Sequence, residues 1–269
     1  MDALTPAEIT AKAEEVGYKK ATGKFSHTLV SGILAGMYIA FGAVFSITSI
    51  SGLAGTVPFG IIKFIAGLAF SLGLILVMIA GAELFTGNAL LVIARLNKRI
   101  SGLQMIKNLI LIWISNFIGA LIVIGLVYVG GWYLFGNGVI GETAMNIGLH
   151  KLDYGFMQAV SLGILCNILV CLGVWLAWSG KSTGDKVLGI IFPIIAFVAG
   201  GFEHSVANMF YLPFAYLLKI SGFAVANVDM SHLTLKYIFV NNLLPVTIGN
   251  IIGGAVFVGM AYWWLYGKK

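Results

Sequence analysis

The sequence predicts an all-α membrane protein with six spanning segments, arranged as two inverted halves whose second and fifth segments are broken. Three observations support this fold class. The 269 residues are 59% hydrophobic and 10% charged, with a mean hydropathy of +0.99, whereas soluble domains carry about 25% charged residues. Six apolar runs are long enough to cross a bilayer. Two of these runs are interrupted by glycine and polar residues.

The apolar runs divide the chain into an N-terminal segment, 1–24, and a transmembrane domain, 25–269. In the first segment Thr5, Pro6 and Glu8 have the pattern of a helix N-terminus, which predicts a short surface helix from residue 6 to about 15. The interruptions read "AGAELFTGN" at 80–88 and "AGGFEHSVAN" at 199–208. The six predicted spans are 28–50, 60–94, 105–135, 156–178, 187–218 and 238–266.

Basic residues predict the orientation. With both ends of a six-span chain on one side, 12 of the 16 Lys and Arg residues fall on that side. The other four are Lys63, Lys151, Lys219 and Lys236. The positive-inside rule then puts both termini in the cytoplasm and the chain in the cell membrane. Because the basic residues report topology, the net charge of +6 does not indicate nucleic-acid binding.

The two halves, about 25–135 and 156–266, resemble each other. The stretch "SGILAGMYIAFG" (31–42) parallels "LGILCNILVCLG" (162–173), the two interruptions correspond, and "NFIGA" (116–120) parallels "NIIGG" (250–254). Each half holds three spans, so the second half is inverted across the membrane. Inverted repeats place their functional site near the bilayer midplane, at discontinuous helices.

The residues at the breaks suit polar chemistry at membrane depth. Helix N-termini exposed by a break carry free N–H groups and a partial positive charge, which favour an anion, and Thr86 adds a hydroxyl. Glu83 and Glu203 either accept hydrogen bonds from loop amides or a neighbouring subunit, or contact the solute. His204, the only histidine well inside a predicted span, is either a buried structural side chain or a donor to the anion of a weak acid.

Other polar residues leave alternatives open. Lys151 either pairs with Asp153 in a loop or folds inward and draws anions. Asn167 is either a helix–helix hydrogen-bond partner or a pore residue. Cys166 and Cys171 are expected to be packing residues without a disulfide, because positions i and i+5 face different ways on a helix.

Six motifs occur in an order that makes the chain resemble the formate/nitrite transporter family, from about residue 20 onward. They read "GAELFTG", "ARLNKRIS", "HK" before the fourth span, "GILCNILVCLGVW", "SGKSTGDK" and "GFEHSVANM". The family includes formate, nitrite and hydrosulfide channels. The resemblance implies an aquaporin-like protomer with its own pore, assembled as a homopentamer in the lipid bilayer, and it implies no cofactor.

The resemblance also implies site residues. The omega-shaped loop of the broken second helix falls around Leu84, Phe85 and Thr86. The central histidine and its acidic neighbour fall on His204 and Glu203, and the conserved lysine and asparagine on Lys151 and Asn167. The cytoplasmic constriction falls on Leu74 and Phe197, and the outer one on Phe70 and Leu84 with their neighbours, among which Phe85 is also expected to be a constriction residue.

The function expected from these residues is passage of small monovalent weak-acid anions, with formate first and hydrosulfide or nitrite as alternatives. A gated channel and a proton-coupled transporter share these parts, so the sequence leaves both open. Paired Asn-Pro-Ala motifs, a second pore histidine and a potassium-filter sequence are absent, which argues against aquaporins, ammonium channels and potassium channels. No second catalytic group matches the His–Glu pair, so an enzyme is not expected.

Overall fold

A computed structural model describes residues 3–223, 225 and 228–267, and within these residues all regular structure is helical. We number the helices α1 to α11 in chain order. They are α1 (Pro6–Ala21), α2 (Phe25–Ile50), α3 (Phe59–Gly81), α4 (Phe85–Asn88), α5 (Leu91–Leu96), α6 (Gly102–Val129), α7 (Val139–His150), α8 (Phe156–Ser179), α9 (Thr183–Ala199), α10 (Ser205–Ile220) and α11 (Tyr237–Tyr266).

Helix α1 begins as the sequence predicts and is longer than predicted. Thr5 and Glu8 form a capping box that satisfies the first backbone amides. The helix continues to Ala21 rather than ending near residue 15, because its buried face repeats through Ile9, Ala13 and Gly17. A side chain at Gly17 would meet Ala94, so this glycine lets α1 dock closely on α5.

The predicted six spans are present, five of them as single long helices: α2, α3, α6, α8 and α11. The fifth span in chain order is the pair α9 and α10, of 17 and 16 residues, which are separated by a break. Helix α3 ends at a second break, after a wide π-helical turn over Val77–Gly81. Both interruptions therefore lie where the sequence predicts them.

Two boundaries differ from the prediction. The third span ends at Val129 instead of residue 135, and a short 3-10 turn follows at Trp132–Leu134. The stretch treated as an outer loop contains α7, whose last residue is His150. With 12 residues, α7 is too short to register as a span.

Equivalent helices of the two halves pack through close glycine contacts. A Cβ atom on Gly36 of α2 would clash with the carbonyl oxygen of Asn116 on α6, and one on Gly249 of α11 would clash with that of Val160 on α8. Small residues let membrane helices approach this closely. The contacts α2–α6 and α8–α11 thus repeat, which agrees with the inverted halves predicted from sequence. We call the end of the bundle that carries α1 the α1 end, and the opposite end, where α7 lies, the far end.

Candidate functional site at the two helix breaks

The two breaks have the same backbone course. Each begins at a glycine in the left-handed region, Gly81 with φ +85° and Gly201 with φ +70°, a conformation that glycine adopts without steric cost. Each continues through three non-helical residues, 82–84 and 202–204, before a new helix begins. The second half therefore reproduces the break of the first with an offset of 120 residues.

Asn116 on α6 holds the first break in place. Its Oδ1 accepts a hydrogen bond from the backbone N–H of Phe85 at 2.9 Å, and its Nδ2 donates to the carbonyl oxygens of Gly32 and Glu83 at 2.8 and 3.0 Å. Backbone groups at membrane depth must be satisfied within the protein. One buried side chain thus serves three backbone groups that the interrupted helix leaves free.

Asn250 on α11 holds the second break in the same way. Its Oδ1 accepts from the N–H of Ser205 at 2.8 Å, and its Nδ2 donates to the carbonyl oxygens of Gly163 and Glu203 at 2.8 and 2.9 Å. Asn250 and Asn116 are the residues aligned by the repeat "NIIGG" and "NFIGA". The sequence repeat therefore corresponds to one hydrogen-bonded clamp used twice.

Glu203 is buried in a network on the far-end side of its break. Its Oε1 forms an ion pair with Lys151 Nζ at 2.7 Å, and its Oε2 accepts from the Nδ2 atoms of Asn208 and Asn242 at 2.6 and 3.1 Å. The proposed pairing of Lys151 with Asp153 is wrong, because the lysine turns inward to Glu203. The acceptor role expected for Glu203 is met by side-chain donors rather than loop amides.

Glu83 lies in a similar network on the α1-end side of the first break. Its Oε2 accepts from Asn88 Nδ2 at 3.1 Å, which also donates to Asn108 Oδ1 at 2.8 Å. Lys20 of α1 donates to Asn88 Oδ1 at 2.7 Å, so Lys20 occupies the place that Lys151 has in the second half. Burial lowers the pKa of Lys20, and the nearby Glu83 carboxylate acts in the opposite direction.

Sequence reasoning missed the asparagine and lysine members of these networks. Asn88 and Asn208 end the two quoted interruptions at matching positions, so the repeat itself contained the signal for them. Lys20 gave no such signal, because it reaches the break from a helix outside the repeat.

His204 caps α10 and points its second ring nitrogen at the other break. Its Nδ1 accepts the backbone N–H of Ala207 at 3.0 Å, and its Nε2 lies 3.0 Å from Thr86 Oγ1. A nitrogen that accepts an N–H carries no proton, so the neutral ring is the tautomer with hydrogen on Nε2. The ring stacks on Phe197 with centroids 5.8 Å apart. His204 therefore presents an N–H donor between the two breaks.

Asn167 and Cys171 fix the backbone beside that donor. Asn167 Nδ2 donates to the carbonyl oxygen of Thr86 at 3.1 Å and also to that of Asn250. The Cys171 thiol lies 3.5 Å from the same Thr86 oxygen. Asn167 thus makes the contacts expected of a helix–helix partner. Cys166 and Cys171 are both free and buried, as predicted.

Two cavities approach the His204–Thr86 pair from opposite ends. The far-end cavity has a volume of about 490 Å³ and its walls include Lys63, Lys151 and His204. The α1-end cavity has a volume of about 170 Å³ and its walls include Val16 and Lys20 of α1. Between them lie buried side chains that are at most 3% exposed: Phe70, Leu74, Leu84, Thr86 and Phe197.

The predicted constriction residues lie at this boundary, grouped by cavity. Phe70 and Phe197 line the far-end cavity and meet edge to face, with centroids 5.7 Å apart. Leu74 and Leu84 line the α1-end cavity. Each pair proposed from the family resemblance therefore spans both cavities. Phe85 is buried and is absent from both linings, and the constriction role of all five residues stays a prediction.

The part of the chain that the structure describes contains no group of three or more His, Cys, Asp or Glu side chains arranged to hold a metal ion. Most polar side chains at the breaks are instead bonded to one another and to the backbone; among the described residues, Ser205 Oγ and Asn208 Oδ1 are buried without a hydrogen-bond partner. Their arrangement is that of a desolvated barrier with one N–H donor, set between two cavities that open toward opposite ends.

Comparisons with known proteins agree with this arrangement. The chain is 42% identical to the formate channel FocA of Escherichia coli K12 over 98% of its own length and 95% of that protein, and 40% identical to FocA of Haemophilus influenzae over 96% and 93%. A solved pentameric formate channel with formate bound superposes with a TM-score of 0.85 at 40% identity, covering 93% of this chain and 99% of that one. A second solved structure, an ion channel of the FNT family, superposes with a TM-score of 0.80 at 31% identity. This match covers 97% of this chain and 98% of that one. The family model for formate/nitrite transporters matches residues 7–264, and the chain belongs to the formate/nitrite transporter family.

Proposed function

We propose that this protein is a membrane channel that passes formate. The observation that carries the proposal is the 42% identity to a formate channel over 98% of the chain. The geometry supports it, because a single N–H donor faces a desolvated barrier between two cavities. Transport rather than catalysis fits a site whose acidic groups are all engaged in structural hydrogen bonds.

We also propose the assembly and orientation. The chain forms a homopentamer, by analogy with the pentameric channel that it superposes on. Both termini lie in the cytoplasm, so the α1 end faces the cytoplasm and residues 1–24 form a cytoplasmic segment ahead of the channel domain, 25–269. The distribution of Lys and Arg supports this orientation.

In the proposed mechanism an anion leaves water at the Phe70–Phe197 contact and is received by the N–H of His204. Loss of hydration in an apolar constriction costs several kcal/mol without a compensating hydrogen bond. A hydrogen bond to a charged group contributes about 1.5–3 kcal/mol. To receive the anion, the His204 Nε2–H exchanges its contact with Thr86 Oγ1, 3.0 Å away, for a hydrogen bond to the solute.

The cap of α10 bears on proton coupling. A proton can add to His204 only at Nδ1, which already accepts the N–H of Ala207. Protonation of the ring therefore breaks the N-cap bond of α10 and costs the helix about 1 kcal/mol. This favours hydrogen-bond donation by His204 over a proton relay through it.

The experiment that tests the function is a flux comparison on one purified sample. Proteoliposomes are loaded and assayed with formate, nitrite, hydrosulfide, acetate and chloride under the same gradient. We expect formate to give the highest flux of the five and protein-free liposomes to give none above leak. If formate flux equals the leak while another anion passes, the proposed solute is wrong; if no anion passes, the channel function is wrong.

A further inference from the structure

Lys151 cannot act as a free positive charge in the far-end cavity. Its ammonium is 2.7 Å from the Glu203 carboxylate, which is itself only 2% exposed. A close ion pair presents little net charge to a cavity, because the two fields cancel over distances larger than their separation. A full positive charge that attracts an anion into this cavity must therefore come from another residue.

Lys63 is placed to supply that charge. It lies in the second turn of α3, is half-buried, and forms part of the far-end cavity wall. Its Nζ lies 5.3 Å from the ring centroid of Phe59. None of the carboxylates in the described ranges, 3–223, 225 and 228–267, forms an ion pair with it. Its N–H donors therefore remain available to water or a solute.

The face of α3 on which Lys63 lies is the cavity face. Ile62, Ala66 and Phe70 line the same cavity, whereas Ile61 and Phe64 point outward and are 52% and 49% exposed. A lysine near the end of a span often lies at the membrane surface and serves only as an anchor. Lys63 is instead turned toward the path that ends at His204.

Among the described residues that line the far-end cavity, Lys63 is the lysine without an ion-pair partner. The ionisable groups in the wall are Lys63, Lys151, Glu203, the imidazoles of His150 and His204, and the phenols of Tyr154 and Tyr211. The Lys151–Glu203 pair is neutral as a unit, so Lys63 is left as the lysine of this wall whose charge no ion pair offsets. A cleft with low-dielectric walls focuses such a single charge and raises the local concentration of counter-ions.

We propose that Lys63 is an anion-binding residue for the transported solute, holding a small monovalent carboxylate in the far-end cavity before it reaches Phe70. Lys63 and Phe70 are seven positions apart, about 10 Å along α3, so the anion binds before it reaches the constriction. This inference rests on the proposed channel function. It adds a residue that sets the affinity for the solute and leaves the barrier step to His204.

The test is equilibrium exchange of radiolabelled formate in proteoliposomes, which requires no fixed orientation of the protein. Lys63→Gln is compared with Lys63→Arg and with Lys236→Gln, a matched loss of one exposed lysine that does not line the cavity. We expect Lys63→Gln to raise the half-saturating formate concentration about 3- to 10-fold at low salt, with the maximal rate within about twofold of the wild type. Lys63→Arg and Lys236→Gln should retain the wild-type value.

Ionic strength separates a charge effect from a packing effect. Raising the concentration of gluconate salt from about 0.01 M to about 1 M shortens the screening length from about 30 Å to about 3 Å, so the difference between Lys63→Gln and the wild type should shrink toward none. Three results would each overturn the proposal. The half-saturating formate concentration of Lys63→Gln could equal that of Lys236→Gln, its increase could persist at high salt, or Lys63→Arg could fail to restore the wild-type value. Wild-type protein without formate exchange would refute the proposed function instead, and the role of Lys63 with it.

Discussion

The breaks after α3 and after α9 are built on one scaffold and differ in the residues that face the path. Both have a left-handed glycine, a glutamate and an asparagine clamp from the last span of their half. Where the second break has His204, the first has Leu84, and where the first has Thr86, the second has Val206. The repeated residues hold the interrupted backbone, and the residues that differ supply the hydrogen-bond donor and its partner.

The two lysines show a second difference. Lys151 pairs directly with Glu203, whereas Lys20 donates to Asn88 and reaches Glu83 only through it. Lys151 follows α7 within the transmembrane domain, while Lys20 belongs to α1. Glu203 is therefore paired with a lysine of the transmembrane domain. The lysine nearest to the Glu83 network, Lys20, is in place only when α1 docks on the bundle.

The largest effect is expected from breaking the shared clamp. Asn116→Ala and Asn250→Ala each leave one backbone N–H and two carbonyl groups without their partner. Buried unsatisfied groups cost about 1–3 kcal/mol each, so each variant should lose at least about 3 kcal/mol of stability. We expect Tm in detergent to fall by about 10 °C in both, measured by thermal unfolding.

Equality between the two variants is the informative result, because it identifies the clamp as scaffold in both halves. Asn146→Ala, at an exposed position on α7, is the matched control and should leave Tm unchanged. A large drop for one clamp variant and none for the other would contradict the equivalence of the breaks.

The scaffold was largely predictable from sequence, and the networks around it only in part. The repeat predicts the positions of both breaks and aligns Asn116 with Asn250, because identical backbone problems select identical residues. The pairing of Lys151 with Glu203 joins residues 52 positions apart, and no local pattern encodes it. The place of Lys20 depends on how α1 docks, which is a tertiary contact that helix periodicity does not specify.

The two glutamates should differ in their contribution to stability. Glu203→Gln removes the counter-charge of Lys151, whose side chain is only 15% exposed. An uncompensated, mostly buried charge should cost about 2 kcal/mol, below the range for fully buried pairs because the lysine borders a cavity. Glu83→Gln keeps an oxygen for Asn88 and should cost less than about 1 kcal/mol. Thermal unfolding of both variants in one detergent measures the difference.

Double substitution gives the control for this comparison. In Glu203→Gln with Lys151→Met no charge is left unpaired, so part of the lost stability should return. If Glu83→Gln and Glu203→Gln lowered Tm equally, the two networks would be equivalent and the contrast between Lys20 and Lys151 would have no energetic meaning.

The smallest effect is expected at the residue that distinguishes the two breaks chemically. His204→Asn keeps a side-chain oxygen able to cap Ala207, so Tm should stay close to that of the wild type. The asparagine side chain is shorter than the histidine side chain, so none of its N–H groups occupies the position of His204 Nε2 beside Thr86. We expect formate flux in proteoliposomes to fall about 10-fold, which corresponds to about 1.4 kcal/mol in the barrier.

The pH profile of the same variant separates the two roles considered for His204. If the ring only donates a hydrogen bond, His204→Asn lowers flux by the same factor at every pH, and the slope of flux against pH is that of the wild type. If the ring relays protons, the variant loses the slope as well as the rate. His204→Leu places at this position the residue that the other break has, Leu84, and removes both the N–H donor and the N-cap acceptor. We expect this variant to show a lower formate flux and a lower Tm. A His204→Asn channel with wild-type flux would mean that the donor is not what distinguishes the second break from the first.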